Sequence, residues 1–206
     1  MRLDAQAKNM PYSSFTVEEV RDKFTLKVRY SAFFPELEPI LPSEYLKLAL
    51  SKGLTYQIKG SEKARSEFII APILLELRDL SGSSVSIFSG EEFTVDRELG
   101  LSGICDFLIS RTADELVIEA PVVALVEAKK GVLSDGWGQC IAEMVAAKKF
   151  NETKGRPIEH MYGIVTSGSL WHFFQMEGDL VSIDPIEYSL APVERILGIL
   201  NWMIRL

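Results

Sequence analysis

Apolar positions follow two different periods along this chain of 206 residues. Apolar residues three or four positions apart are typical of a helix packed on a core, and this spacing predicts helices over Ser61–Leu80, Ser134–Phe150 and Ala191–Arg205. Pro72 is expected to kink or divide the first of these helices. The stripe expected to face the core in that helix is Ala64, Phe68, Ala71 and Leu75, with Arg78 in line.

Shorter segments with strand-like patterns lie between these helices. They are Ser84–Ser89, Phe93–Val95, Gly103–Ser110, Val122–Glu127, Met161–Thr166 and Leu170–Met176. The segment over Val122–Glu127 begins with an apolar run without alternation, which is typical of a central strand covered on both faces. Ser167-Gly168-Ser169 predicts a hairpin turn between the last two strands. The order of elements predicts an α/β fold, with a mixed central β-sheet flanked by helices.

Residues 1–60 have a less regular pattern. Thr16 is predicted to cap a helix over Val17–Phe24, and alternating residues up to Tyr30 predict a strand. Three prolines then mark a linker that ends at Ser43, the predicted cap of a helix through Leu50. We expect residues 1–60 to form an N-terminal extension packed on a core of residues 61–206, rather than an independent domain.

Composition excludes several classes of protein. Hydrophobic residues make up 47% and charged residues 25%, which are ordinary values for a globular domain and not those of a disordered or coiled-coil chain. No apolar run is long enough for a membrane-spanning helix, and the N-terminus lacks a signal-peptide pattern. Cys105 and Cys140 suggest neither a disulfide framework nor a zinc site, so a cytoplasmic location is expected. The net charge of −7 argues against nonspecific coating of nucleic acid.

Three charged residues form the sharpest candidate site. Asp106 lies inside an apolar strand, while Glu127 and Lys129 lie at the end of the predicted central strand. Residues two apart on a strand point to the same face, so Glu127 and Lys129 are expected to project together, with Asp106 beside them on a neighbouring strand. Two adjacent carboxylates favour a bound divalent cation such as Mg²⁺ or a raised pKa. The competing interpretation is a salt bridge between strands.

The set Asp106…Glu127-Ala128-Lys129 resembles the PD-(D/E)XK nuclease superfamily, since the helix before it carries Glu67 and the helix after it carries Gln139. The stretch from about Ser61 to Met176 would cover the core of that superfamily. Within it, the chain is similar to the nuclease domains of type I restriction subunits and to stand-alone bacterial relatives. The resemblance implies a restriction-endonuclease-like core that hydrolyses phosphodiester bonds of nucleic acid with Mg²⁺, for which Mn²⁺ can substitute.

The resemblance also implies roles for single residues. Asp106 and Glu127 match the metal-binding acids, and Lys129 matches the catalytic lysine. Glu67 matches the helix glutamate that some members use as a further metal-binding acid, although a surface glutamate is the alternative. Gln139 matches the glutamine of the type I helix motif, which continues with Tyr four residues later. Here that position is Glu143.

Partners are expected from the remaining charged and apolar segments. Lys130, Lys148 and Lys149 could follow phosphates of a nucleic acid, expected to be DNA, although lysines late in a helix also favour its dipole. The final helix is apolar enough either to complete the core or to pack against a second copy as a homodimer. The alternative to a nuclease is a non-catalytic nucleic-acid-binding or protein-assembly module with the same fold.

Overall fold

The computed structural model describes residues 11–57, 60–113 and 116–205. The described residues form an eight-stranded mixed sheet with helices packed on both faces, which confirms the predicted α/β fold class. The strands are β1 Lys27–Tyr30, β2 Ser86–Glu92, β3 Ile104–Ser110, β4 Val122–Ala128, β5 His160–Thr166, β6 Leu170–Glu177, β7 Leu180–Ile183 and β8 Tyr188–Ser189.

The strand order is β1-β7-β6-β5-β4-β3-β2, and β8 pairs with β6. Two of the pairings are parallel, β1 with β7 and β4 with β5, and the others are antiparallel. The β5–β6 pair is the predicted hairpin, with Gly168 in the left-handed conformation that the turn requires.

Six α-helices cover the described sheet, with one π turn between the third and the fourth. The α-helices are α1 Val17–Lys23, α2 Glu44–Gln57, α3 Glu62–Arg65, α4 Ala71–Leu80, α5 Trp137–Thr153 and α6 Val193–Arg205. The π turn covers Ser66–Ile70, and short 3₁₀ helices cover Tyr12–Ser14 and Leu133–Gly136. The predicted caps of α1 and α2 are present, because the side chains of Thr16 and Ser43 accept from the backbone N–H groups of Glu19 and Leu46.

The central strand β4 is buried along its whole length, as its apolar sequence predicts. Val126 packs with helices α2, α4 and α6 on one face, whereas Leu125 packs with α1 and α5 on the other. A residue at the end of this strand therefore projects between the sheet and a helix rather than into open solvent.

The predicted helix over Ser61–Leu80 has a different buried stripe from the one expected. The N–H of Ala71 bonds to the carbonyl of Ser66, five residues back, so one extra residue enters the turn and rotates the following side chains. Pro72 has no N–H with which to continue an α-helical ladder. Phe68 and Leu75 are consequently 45% and 47% exposed, and the stripe prediction was wrong. The buried residues are instead Ile69, Ile70, Pro72, Ile73, Leu74, Glu76 and Leu77.

The strand predicted over Phe93–Val95 is not formed, since β2 ends at Glu92. The chain instead makes a turn with a bridge between Asp96 and Leu101, and the N–H groups of Phe93 and Val95 donate across it to the carbonyls of Gly103 and Leu101. Neither β7 nor β8 was predicted, and the predicted helix from Ser43 continues beyond Leu50.

Residues 11–57 pack directly on the rest of the chain, while residues 1–10 of the predicted extension lie outside the described residues. Strand β1 adds to the edge of the main sheet, and α1 packs against α5. The hydroxyl of Tyr12 donates to the Phe93 carbonyl at 2.7 Å. The backbone N–H and hydroxyl of Ser43 donate to the two carboxylate oxygens of Glu76, each at 2.6 Å.

Helix α6 completes the core. Its residues Ile196, Leu197 and Leu200 belong to the same buried cluster as Val126. Packing within the protein therefore accounts for the apolar face that was expected to meet either the core or a second copy. None of the helices in the described part of the chain has the length and apolar character of a membrane span.

Gly138 is expected to be essential for packing α5 under the N-terminal segment. A Cβ at this position would lie 2.1 Å from the carbonyl oxygen of Phe15, so the backbone would have to move. We expect Gly138→Ala to lower the free energy of unfolding in urea by roughly 1–3 kcal/mol, the usual cost of overpacking. Gly131→Ala is the matched control, since a Cβ at Gly131 meets nothing within 4 Å. Equal unfolding midpoints for the two variants would contradict this packing.

Candidate active site

Strands β3 and β4 bring two carboxylates together. Phe107 pairs with Val126, so the next position along the ladder sets Asp106 opposite Glu127. Oδ2 of Asp106 accepts a hydrogen bond of 2.8 Å from the backbone N–H of Ala128. The Asp106 carboxylate is thereby fixed at the end of β4, as the sequence predicted.

Lys129 lies next to these acids because its backbone continues the β4–β5 ladder, with its N–H bonded to the Thr166 carbonyl at 2.8 Å. Its Nζ donates to Oε1 of Glu127 at 2.5 Å and to Oε1 of Gln139 at 3.3 Å. Gly136 leaves room for the lysine, since a Cβ there would lie 3.0 Å from two carbons of its side chain. The structure thus brings together Lys129, Glu127 and Gln139, three of the predicted site residues.

Glu143 extends this chain of contacts into the core. Nε2 of Gln139 donates to Oε1 of Glu143 at 3.0 Å, and the Glu143 side chain is fully buried. In the sequence, Glu143 stood out only because it replaces the tyrosine of the type I helix motif. Its contact with Gln139 could have been predicted from their spacing, because residues four apart on a helix are neighbours.

Two helix glutamates approach the site in different ways. Oε2 of Glu62 accepts from the backbone N–H of Lys130 at 2.9 Å, while the predicted Glu67 forms an ion pair with Lys63 at 3.1 Å. Both glutamates line a cleft of about 270 Å³ that also includes Asp106. Glu62 is therefore the helix acid that contacts the loop after β4, and the sequence analysis missed it.

Burial is the main influence on the ionisation of Glu127, which is only 3% exposed. Burial and then the charge of Asp106 raise the pKa of Glu127 to about 8, against the opposing effect of Lys129. Burial also raises the pKa of Asp106, although the N–H of Ala128 opposes this shift. These two acids therefore hold protons more strongly than acids in water do.

The other two members of the network also have shifted pKa values. Burial, followed by the charge of Glu127, raises the pKa of Glu143 well above its usual range. Burial lowers the pKa of Lys129, but the charge and hydrogen bond of Glu127 outweigh that effect, and the pKa is raised. Lys129 is therefore an ammonium at neutral pH.

Asp106 and Glu127 suit a small divalent cation that retains several waters. Oε2 of Glu127 is buried and has no hydrogen-bond partner in the described part of the chain. Mg²⁺ commonly takes one or two protein carboxylates and completes its octahedron with water and substrate oxygens. Residues 11–57, 60–113 and 116–205 contain no group of three or more His, Cys, Asp or Glu side chains placed to hold a metal. Asp106 and Glu127 are the two carboxylates that could hold such a cation, with water in its remaining positions.

The predicted nucleic-acid-binding lysines do not lie together. Lys130 follows Lys129 directly at the site, and its side chain is exposed. Lys148 and Lys149 lie in the second half of α5, away from Gln139 in its first turn. Lys148 pairs with Glu152 at 3.1 Å and with Asp179 at 4.0 Å, and Lys149 pairs with Asp96.

No protein-family model and no curated protein matches this sequence. Function is therefore inferred from the side chains and their geometry.

The raised pKa of Glu143 predicts a dependence of stability on pH. The pKa of such a carboxyl is higher in the folded protein than in the unfolded chain, where it is near 4.5. The carboxyl therefore contributes its full stabilisation below the unfolded pKa. The contribution is lost as pH rises through the folded pKa. As pH rises above 4.5, we expect the free energy of unfolding, measured by urea denaturation, to fall less steeply in Glu143→Gln than in the wild type.

Glu67→Gln makes the same chemical change at an exposed position and controls for the loss of one formal charge. Parallel profiles for the wild type and Glu143→Gln would show that the buried carboxyl is not held protonated by the fold.

Proposed function

We propose that this protein is a metal-dependent nuclease of the PD-(D/E)XK type that hydrolyses phosphodiester bonds, with DNA as the expected substrate. The observation that carries this proposal is the arrangement at the ends of β3 and β4. There Asp106 and Glu127 face each other across the strand pair, and Lys129 forms an ion pair with Glu127 at 2.5 Å. An interstrand salt bridge alone would need one acid, whereas here the buried Glu127 and the partly buried Asp106 lie beside one lysine.

Asp106 and Glu127 would hold Mg²⁺, or Mn²⁺ in its place. When bound, such a cation supplies a Lewis acid for a phosphoryl oxygen and lowers the pKa of a bound water. The unpartnered Oε2 of Glu127 and the fixed carboxylate of Asp106 are the oxygens that this role requires.

Lys129 acts as a hydrogen-bond donor in this proposal. An ammonium has three N–H groups, and within the described residues two of them are bonded, to Glu127 and to Gln139. Its side chain is 21% exposed, so the third N–H can reach a phosphate oxygen. A donor aimed at developing negative charge stabilises the transition state of phosphoryl transfer.

The cations nearest to the site belong to α3 and to the loop after β4. Lys63 lines the cleft beside Asp106, and the side chain of Lys130 is exposed next to Lys129. The guanidinium of Arg65 donates to the carbonyl of Ser167, directly after β5, at 3.2 Å. Lys63 is paired with Glu67 and Arg65 is bonded to Ser167, so the exposed Lys130 is the cation that best supports a phosphate contact beside Lys129.

A second candidate function is a non-catalytic assembly module that keeps this fold. Exposed apolar side chains on α2, the π turn and α4 favour it, since such groups are frequent in protein interfaces. They are Tyr45, Leu48, Phe68 and Leu75. This candidate function predicts that the protein binds a protein partner, and that this binding does not depend on Asp106 or Glu127.

Calorimetric titration of Mn²⁺, with and without a short DNA duplex, tests the proposed metal site. We expect binding to the wild type and none to Asp106→Asn or Glu127→Gln, because each variant lacks one of two carboxylates. DNA cleavage should be lost in both variants, and Lys129→Met should reduce it by roughly 100- to 1,000-fold, as for other lost transition-state donors. Wild-type cleavage rates in Glu127→Gln would exclude this site, and an inert, non-binding wild type would favour the assembly module.

The two helix glutamates provide a matched comparison. Glu62→Gln and Glu67→Gln make the same change on adjoining turns, but only Glu62 contacts the loop that carries Lys130. We expect Glu62→Gln to slow cleavage by roughly 10-fold or more, as for other supporting groups of metal sites, and Glu67→Gln to have little effect. The opposite order would assign the supporting role to Glu67, as the family resemblance implied.

A further inference from the structure

Glu143 is a buried acid with no direct part in the proposed cleavage step. Its side chain is fully buried, and one oxygen, Oε2, has no hydrogen-bond partner among the described residues. Burying a carboxyl without full hydrogen bonding is costly, and a leucine would fill a similar volume without that cost. Within the described residues, the side chain makes one hydrogen bond, which Oε1 accepts from Gln139.

The donors and acceptors of Lys129, Gln139 and Glu143 fix which way the Gln139 amide points. A lysine ammonium can only donate, so the atom of Gln139 that faces Lys129 must be the amide oxygen. The amide nitrogen then points the other way, towards Glu143, where it needs an acceptor. A carboxyl provides a carbonyl-type acceptor in either protonation state.

Gln139 therefore has one orientation that satisfies both neighbours. Without an acceptor at position 143, the amide N–H groups would be buried and unpaired, which costs about 1–3 kcal/mol and favours a rotation of the side chain. Rotation would remove the amide oxygen from Lys129, 3.3 Å away, and leave Glu127 as its only partner among the described residues.

We infer that Glu143 is a positioning residue, which orients the Gln139 amide so that its oxygen holds the Lys129 ammonium beside Glu127. The effect on cleavage rests on the proposed nuclease function, whereas the orientation of Gln139 does not. Gln139 and Glu127 together hold two of the three N–H groups, which leaves the third for a further acceptor beside a side chain that is 21% exposed.

Two substitutions at position 143 distinguish the role of Glu143 as a hydrogen-bond acceptor from its role in filling space in the core. Glu143→Gln keeps a side-chain carbonyl, whereas Glu143→Leu removes every acceptor while filling the core. Thermal unfolding should show that both variants are folded. Glu76→Gln is the control, since Glu76 is another buried glutamate, bonded to Ser43 and not to Gln139.

Nuclear magnetic resonance of the side-chain amides tests the orientation without any need for activity. The Gln139 amide signal is assigned by its loss in Gln139→Leu. We expect that signal to move in Glu143→Leu towards the position of a solvated amide, and to stay near its wild-type position in Glu143→Gln and Glu76→Gln. An unchanged Gln139 signal in folded Glu143→Leu would overturn the inference.

Cleavage kinetics then test whether Glu143 acts through Gln139. Glu143→Leu and Gln139→Leu should each lower kcat by roughly 10- to 100-fold with little change in KM, as for other supporting residues. The double variant should be no slower than the slower single variant, because both changes remove the same contact. A double variant whose loss of kcat equals the product of the two single losses would overturn the inference. If the wild type cleaves no nucleic acid, the nuclease proposal fails and the amide signals alone decide the role of Glu143.

Discussion

The ion pair between Lys129 and Glu127 is the interaction on which the proposed site depends. Strand β4 is covered on both faces, so the glutamate at its end is carried into the interior with its charge. The ammonium 2.5 Å away offsets part of that cost, and Gln139 and Glu143 extend the polar network into the core behind it. Asp106 adds a second carboxyl on the open side. Burial is the largest cause of the raised pKa of each carboxyl in this network, and for the two glutamates the charge of a neighbouring acid adds to it.

Close packing of α5 on the strand ends makes this network possible. Gly136 leaves space for the aliphatic part of Lys129, and Gly138 leaves space for the backbone at Phe15. Larger residues at either position would lift the start of the helix from the sheet. Gln139 lies in the same first turn, so the distance between the helix and the strand sets the reach from its amide to the lysine.

Local patterns were sufficient to predict β4, the β5–β6 hairpin, the cap at Thr16 and the convergence at the ends of β3 and β4. Each depends on residues close in sequence or on the apolar character of one segment. The phase of the helix before β2 was not predictable in this way, because the π turn at Ser66–Ile70 rotates everything after it. The contact of Glu62 with the loop after β4, the pairing of Lys148 with Asp179 and that of Lys149 with Asp96 all join segments distant in sequence.

The parallel pairing of β1 with β7 has a consequence for the order in which the fold can assemble. Lys27 pairs with Leu180, so the strand that forms one edge of the sheet is synthesised long before its partner. Contacts between residues so far apart in sequence form late and slow the folding of a domain. During translation, β1 therefore stays unpaired while β2 to β6 emerge, and its two cationic residues, Lys27 and Arg29, suit a segment that stays in water until then.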